Sequence, residues 1–195
     1  MNLCRSSAWL MNTMRETPVV KRWARIGPRD SSWMIHVPTA GLCLSSFVII
    51  RKGNSILLGQ PHVSSAWAEK GGYPTRHAAK LEKSDSWLLP ATHLLMEESP
   101  DHAAKRIANE WMGVKGRPRF LMVQSHLRPS ETVKTRRWRT GFNHWDICFV
   151  YELKTGTKPS AKPWWKETRF FSSSEIRKLS LGRGHKDVLN AARTP

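Results

Sequence analysis

WLLPATHLLMEESPDHAAKRIANEWMGV, residues 87–114, carries the pattern on which the fold turns. Ser99, Pro100 and Asp101 form a helix start: a serine hydroxyl can accept from an amide of the first turn, and proline suits the first helical position because the amide it lacks would have no helical partner there. Gly113 supplies the stop, since a residue without a β-carbon readily enters the left-handed conformation that closes a helix. Between them Ala103, Ala104, Ile107, Ala108, Trp111 and Met112 recur at spacings of three and four. Such spacing gathers them into one broad apolar stripe that faces a core.

Working outward, TAGLCLSSFVIIRKGNSILLG (39–59) has two apolar runs separated by Lys52, Gly53 and Asn54, the pattern of a β-hairpin. Residues 60–86, with Pro61, Gly71, Gly72 and Pro74, read as a long surface loop or insertion. After the helix, RFLMVQSHL (119–127) and HWDICFVYEL (144–153) have strand composition and are joined by the basic connection RPSETVKTRRWRTGFN. ETRFF (167–171) reads as a further short strand, and SSSEIRKL and GHKDVLNAAR as closing helices, the first capped by serine. The order predicts an α+β domain with helices packed on a mixed sheet over residues 39–195, after a basic N-terminal arm at 1–38.

Length and composition fit one globular domain: 195 residues, 39% of them hydrophobic. The cysteines at 4, 43 and 148 show no paired spacing, so neither a disulfide framework nor a zinc knuckle is indicated and an intracellular, reducing compartment fits. No apolar run approaches the roughly 18 residues of a membrane span. The Arg- and Ser-rich start is open to three readings: a mitochondrial transit peptide, a disordered arm on a cytoplasmic protein, or residues ahead of a true start at Met11 or Met14.

Thirty-two Lys and Arg against 15 Asp and Glu give a net charge of +17, which favours a polyanionic partner. Residues 115–166 hold 12 Lys and Arg against three acids, 12 − 3 = +9. Within them Lys134, Arg136, Arg137 and Arg139 surround Trp138, and Lys162 and Lys166 flank Trp164 and Trp165. Cations interleaved with flat aromatic faces are what single-stranded nucleic acid uses, by phosphate contact and base stacking. Equally, these tryptophans can fill gaps between loops and core. His144 and Asp146 share a strand face and read as a hydrogen-bonded pair or as a substrate contact.

Residues 92–114 resemble the Nudix box, Gly-x5-Glu-x7-Arg-Glu-aliphatic-x-Glu-Glu-x-Gly-aliphatic, with WLLP as its lead-in. In register, Thr92 takes the glycine, Glu98 the first glutamate, Arg106 the arginine, Glu110 one glutamate of the final cluster, and Gly113 and Val114 the ending. The resemblance implies an α/β/α sandwich and, as ancestral activity, hydrolysis of nucleoside-diphosphate-linked pyrophosphate with magnesium or manganese. It marks Glu98, Arg106 and Glu110 as catalytic candidates, and Glu110 and Glu98 as metal ligands.

Ile107 and Trp111 stand where the family has glutamates. Hard cations require several oxygen ligands, and one helical carboxylate does not provide them. Glu131, Asp146 and Glu167 are further acids that a later loop or strand could contribute. Without the neighbouring glutamate, Arg106 is expected to pair at the surface with Glu110 four residues on, and Glu98 to favour the positive end of the helix. The implied function is a nucleotide- or RNA-binding module with a degenerate metal site, weakly active or non-catalytic. Two alternatives are an active Mg-dependent Nudix hydrolase and a structural component of a ribonucleoprotein such as a ribosome.

Overall fold

Both alternating sets of the run FVII are apolar, which suits a central strand covered on two faces. In the computed structural model, which describes residues 42–64, 66–67, 79–80, 82–126, 145–160, 162–182 and 184–192, this run lies in strand β1, Leu42–Lys52. A turn at Gly53 and Asn54 leads into β2, Ser55–Pro61. β3 is Ala91–His93, β4 Arg119–His126, β5 Trp145–Lys154 and β6 Trp165–Phe171. The six strands form one sheet in the order β4-β5-β1-β2-β6, with β3 also paired to β1. β1 and β5 run parallel and the other pairings are antiparallel.

Helix α1, Pro100–Arg106, starts as its sequence requires: the Ser99 hydroxyl accepts from the His102 amide at 3.2 Å. Two strands hold its first turn, through the Ser46 hydroxyl on the Pro100 carbonyl (3.2 Å) and the Tyr151 hydroxyl on the Asp101 carboxylate (2.6 Å). The helix then widens into a π-helical turn, Ile107–Trp111, in which the Met112 amide reaches back to the Ile107 carbonyl. Ile107, Ala108, Trp111 and Met112 turn inward, while Asn109 and Glu110 face solvent. Gly113, at φ 63°, ends the helix against Ser160, whose side chain a β-carbon there would strike.

On this face of the sheet Val48, Ile50, Leu57, Tyr151 and Leu153 pack under the helix. On the other, Phe47, Ile49, Ile56, Leu58 and Val150 meet Val188 and Leu189 of α3, His185–Ala191, with Ile176 of α2, Ser173–Ile176, at the margin. Ser172 caps α2 in a reciprocal box with Glu175. Helices on both faces of a mixed sheet make the expected α/β/α sandwich.

Contrary to expectation, the 60–86 segment is not a surface loop throughout, because Trp67 within it is completely buried. Its returning end is tied down by His62 on Glu82 (3.0 Å) and by Gln60 on the Asp85 carbonyl (3.3 Å). The N-terminal arm at 1–38 lies outside the described residues.

Candidate functional site

The loop from β3 to α1 brings Glu98 alongside the end of that helix, where Arg106 meets it. Arg106 Nε donates to Glu98 Oε1 and Nη2 to Oε2, each at 2.7 Å, and Nη2 also donates to the His93 carbonyl at 3.0 Å. The Leu95 amide donates to Glu98 Oε2 at 2.9 Å. Two parallel bonds between a guanidinium and a carboxylate form the strong, geometrically specific version of an ion pair. This corrects the expected Arg106–Glu110 pair: the β3–α1 loop supplies a closer carboxylate with both oxygens aligned. Glu98 accordingly anchors the loop to the helix rather than merely favouring the helix dipole.

Glu110 is exposed, and among the described residues it has no hydrogen-bond or ion-pair partner. Ile107 and Trp111, on either side of it, are 0% and 1% exposed. Both belong to the core under the helix, as their place on the apolar stripe predicts. Thr92, at the box's glycine position, is buried in β3 opposite Ser46.

Trp111 is the centre of an aromatic cluster. Its ring lies 5.8 Å from that of Trp67, 5.9 Å from Trp165 and 6.1 Å from Trp164, at tilts of 65°, 70° and 47°. The edge-to-face pairs with Trp67 and Trp165 bring the positive rim of one ring to the negative face of the next, and Trp164 packs at an intermediate tilt. The indole N–H groups of Trp164 and Trp165 both donate to the Trp111 carbonyl, at 3.2 and 2.9 Å. They satisfy an oxygen at the helix end that has no helical partner. Gly59 makes room on β2: a β-carbon there would fall 2.6 Å from the Trp165 ring.

These contacts correct the reading of Trp165 as a stacking surface. It is 8% exposed, with its ring packed against Trp67 and Trp111. Trp164 is half-buried against the same core. Lys134, Arg136, Arg137, Trp138 and Arg139 lie outside the described residues, as do Glu131 and His144. Asp146 is on β5, paired with Cys43 and His126, and its side chain is outside the described set. Glu167 is exposed on the edge strand β6.

A divalent ion needs a clustered set of oxygen donors. Among the box residues, both oxygens of Glu98 bond Arg106, Asp101 accepts from Tyr151, and the helical neighbours of Glu110 at Ile107 and Trp111 offer no side-chain oxygen. No group of three or more His, Cys, Asp or Glu able to hold a metal occurs among the described residues. Nor is any described helix long and apolar enough to cross a membrane.

Solved structures of Nudix hydrolases share this architecture. The MutT protein from Methanosarcina mazei Go1 is similar at 13% identity and a TM-score of 0.54, over 79% of this chain and 94% of that one. The MutT NUDIX hydrolase from Burkholderia pseudomallei is similar at 16% identity and 0.51, over 76% and 96%. The NUDIX domain of Shewanella oneidensis NrtR complexed with ADP ribose is similar at 14% and 0.53, over 78% and 86%. The chain therefore has the Nudix fold. No protein-family model and no curated protein matches its sequence.

Proposed function

We propose that this chain is a Nudix-fold binding module for nucleotide or RNA, weakly catalytic or non-catalytic because its metal site is degenerate. One observation carries the reading: Trp111, at a box position where the family places a metal-binding glutamate, is a buried core residue clamped by Trp67, Trp164 and Trp165. Replacing ligand carboxylates by the Ile107 and Trp111 side chains removes charge that would attract a divalent ion and, with it, the water that ion would activate. The ADP ribose complex of the similar Shewanella domain and the +17 charge support nucleotide or polyanion binding as the retained property.

The test is binding of ADP-ribose and of single-stranded RNA to the full chain, by calorimetry or fluorescence polarisation, with and without EDTA. The reading predicts that at least one ligand binds and that chelation leaves its affinity unchanged. Binding of neither, or binding that depends on magnesium, contradicts it.

A further inference from the structure

The positive charge is not confined to the connection between β4 and β5. These strands are antiparallel, with His126 opposite Asp146 at one end and Arg119 opposite Glu152 at the other. The connection spanning residues 127–144 therefore leaves from the first end. A separate set of cations gathers at the second.

Arg51 is the direct neighbour of Lys154 across the parallel β1–β5 pairing, and the Thr155 amide donates to the Arg51 carbonyl at 2.8 Å. Lys52 closes β1. Lys115 and Arg117 lie in the short connection from the helix to β4, where Gly116 rests against Leu153. Lys158 lies in the segment leaving β5, whose Ser160 amide donates to the Met112 carbonyl at 3.1 Å. Residues 51–55, 113–119 and 152–160 together hold seven Lys and Arg and one acid, 7 − 1 = +6. That acid, Glu152, is taken by Arg51 at 2.8 Å and Arg119 at 3.2 Å. Among the described residues, Lys52, Lys115, Arg117, Lys154 and Lys158 are exposed and have no acidic partner within ion-pair distance.

Exposed cations brought to one end of the sheet without acidic partners favour an anion able to meet several of them together. A polyanion also releases its own counterions on binding. The exposed large apolar side chains among the described residues, Met96 and Val123, belong to the β3–α1 loop and the middle of β4, away from this end, so it lacks the apolar anchor of a membrane-binding face. Residues 51–55, 113–119 and 152–160 contain no aromatic side chain to stack on a base, which suits contact with backbone phosphates independent of sequence.

We propose that this end of the sheet, presented by Lys52, Lys115, Arg117, Arg119, Lys154 and Lys158, binds the phosphate backbone of RNA, at the end of the β4–β5 pair opposite the His126–Asp146 end. The inference rests on the RNA half of the functional reading above.

The experiment is filter binding of single-stranded RNA to the full chain at several salt concentrations. It compares the wild type, a variant with Lys52, Lys115, Arg117, Lys154 and Lys158 all changed to Gln, and a companion with the four lysines changed to Arg. Each neutralised phosphate contributes about 0.7 to the log-log salt slope, so the Gln variant, which removes five cations, is expected to lower the slope by about 3.5 for unrelated sequences alike. The Arg companion should bind as the wild type does. In parallel, RNA should protect Lys52, Lys154 and Lys158 of the wild type from acetylation, a readout that does not depend on a variant folding. Wild-type RNA binding with an unchanged Gln variant and no protection overturns the inference while leaving the RNA reading intact. Wild type that fails to bind RNA at low salt overturns both, and capture of polyglutamate without RNA overturns the RNA assignment in favour of an acidic protein partner.

Discussion

Arg106 and Glu98, eight residues apart in the chain, are joined by two hydrogen bonds of 2.7 Å that tie the β3–α1 loop to the helix. The pair is largely shielded, with side chains 15% and 10% exposed, so removing one partner strands a charged group with little access to water.

Arg106→Ala should therefore lower stability by about 2 to 3 kcal/mol, the scale of charged hydrogen bonds left unmade. Arg106→Lys should recover only part of the loss, since an ammonium cannot reproduce the planar two-pronged contact. Chemical denaturation of the three proteins measures both. A near-wild-type Arg106→Ala would mean that the loop is held by other contacts.

Ile107→Glu and Trp111→Glu together restore the box on paper. They also put two carboxylates into a core where the native side chains are 0% and 1% exposed. The double variant should lose several kcal/mol in metal-free buffer, from the buried charge and from the lost tryptophan packing. Denaturant melts with EDTA check this, and unchanged stability would show that the face tolerates water.

Glu152 gives a pH dependence with a definite sign. Burial pushes its carboxyl up, but hydrogen bonds and charge from Arg119 and Arg51 outweigh burial and hold it below the ordinary value of 4.5. A carboxyl lowered in the folded state stabilises above its unfolded pKa, and that contribution disappears as pH falls through the folded value. The stability gap between wild type and Glu152→Gln should be full at neutral pH and narrow below about 4.5. A gap independent of pH would remove the ion-pair account.

The helix was legible because its signals are local. Ser99, Pro100 and Gly113 mark both ends, and the three- and four-residue spacing identifies Ile107 and Trp111 as core. The hairpin of β1 and β2 and the strands β4 and β5 were legible for the same reason, as apolar runs bounded by turn residues. What escaped depended on distant chain segments meeting. Helical spacing relates Arg106 to Glu110, whereas its partner Glu98 arrives by way of a loop. The lysines beside Trp164 and Trp165 suggest an exposed surface, yet both indole N–H groups turn to the Trp111 carbonyl. Trp67 lies among turn-forming residues, and nothing near it in sequence marks it for the core.

The most direct test of the degenerate-site account is hydrolysis of ADP-ribose and related nucleoside-diphosphate-linked substrates by the full chain with magnesium or manganese, alongside Glu110→Gln. Because Glu110 has no carboxylate neighbours at Ile107 and Trp111, the account predicts at most a trace of turnover and little change in thermal stability in the variant. Turnover of about 1 per second or more in the wild type, abolished in Glu110→Gln, would contradict it and establish a working hydrolase.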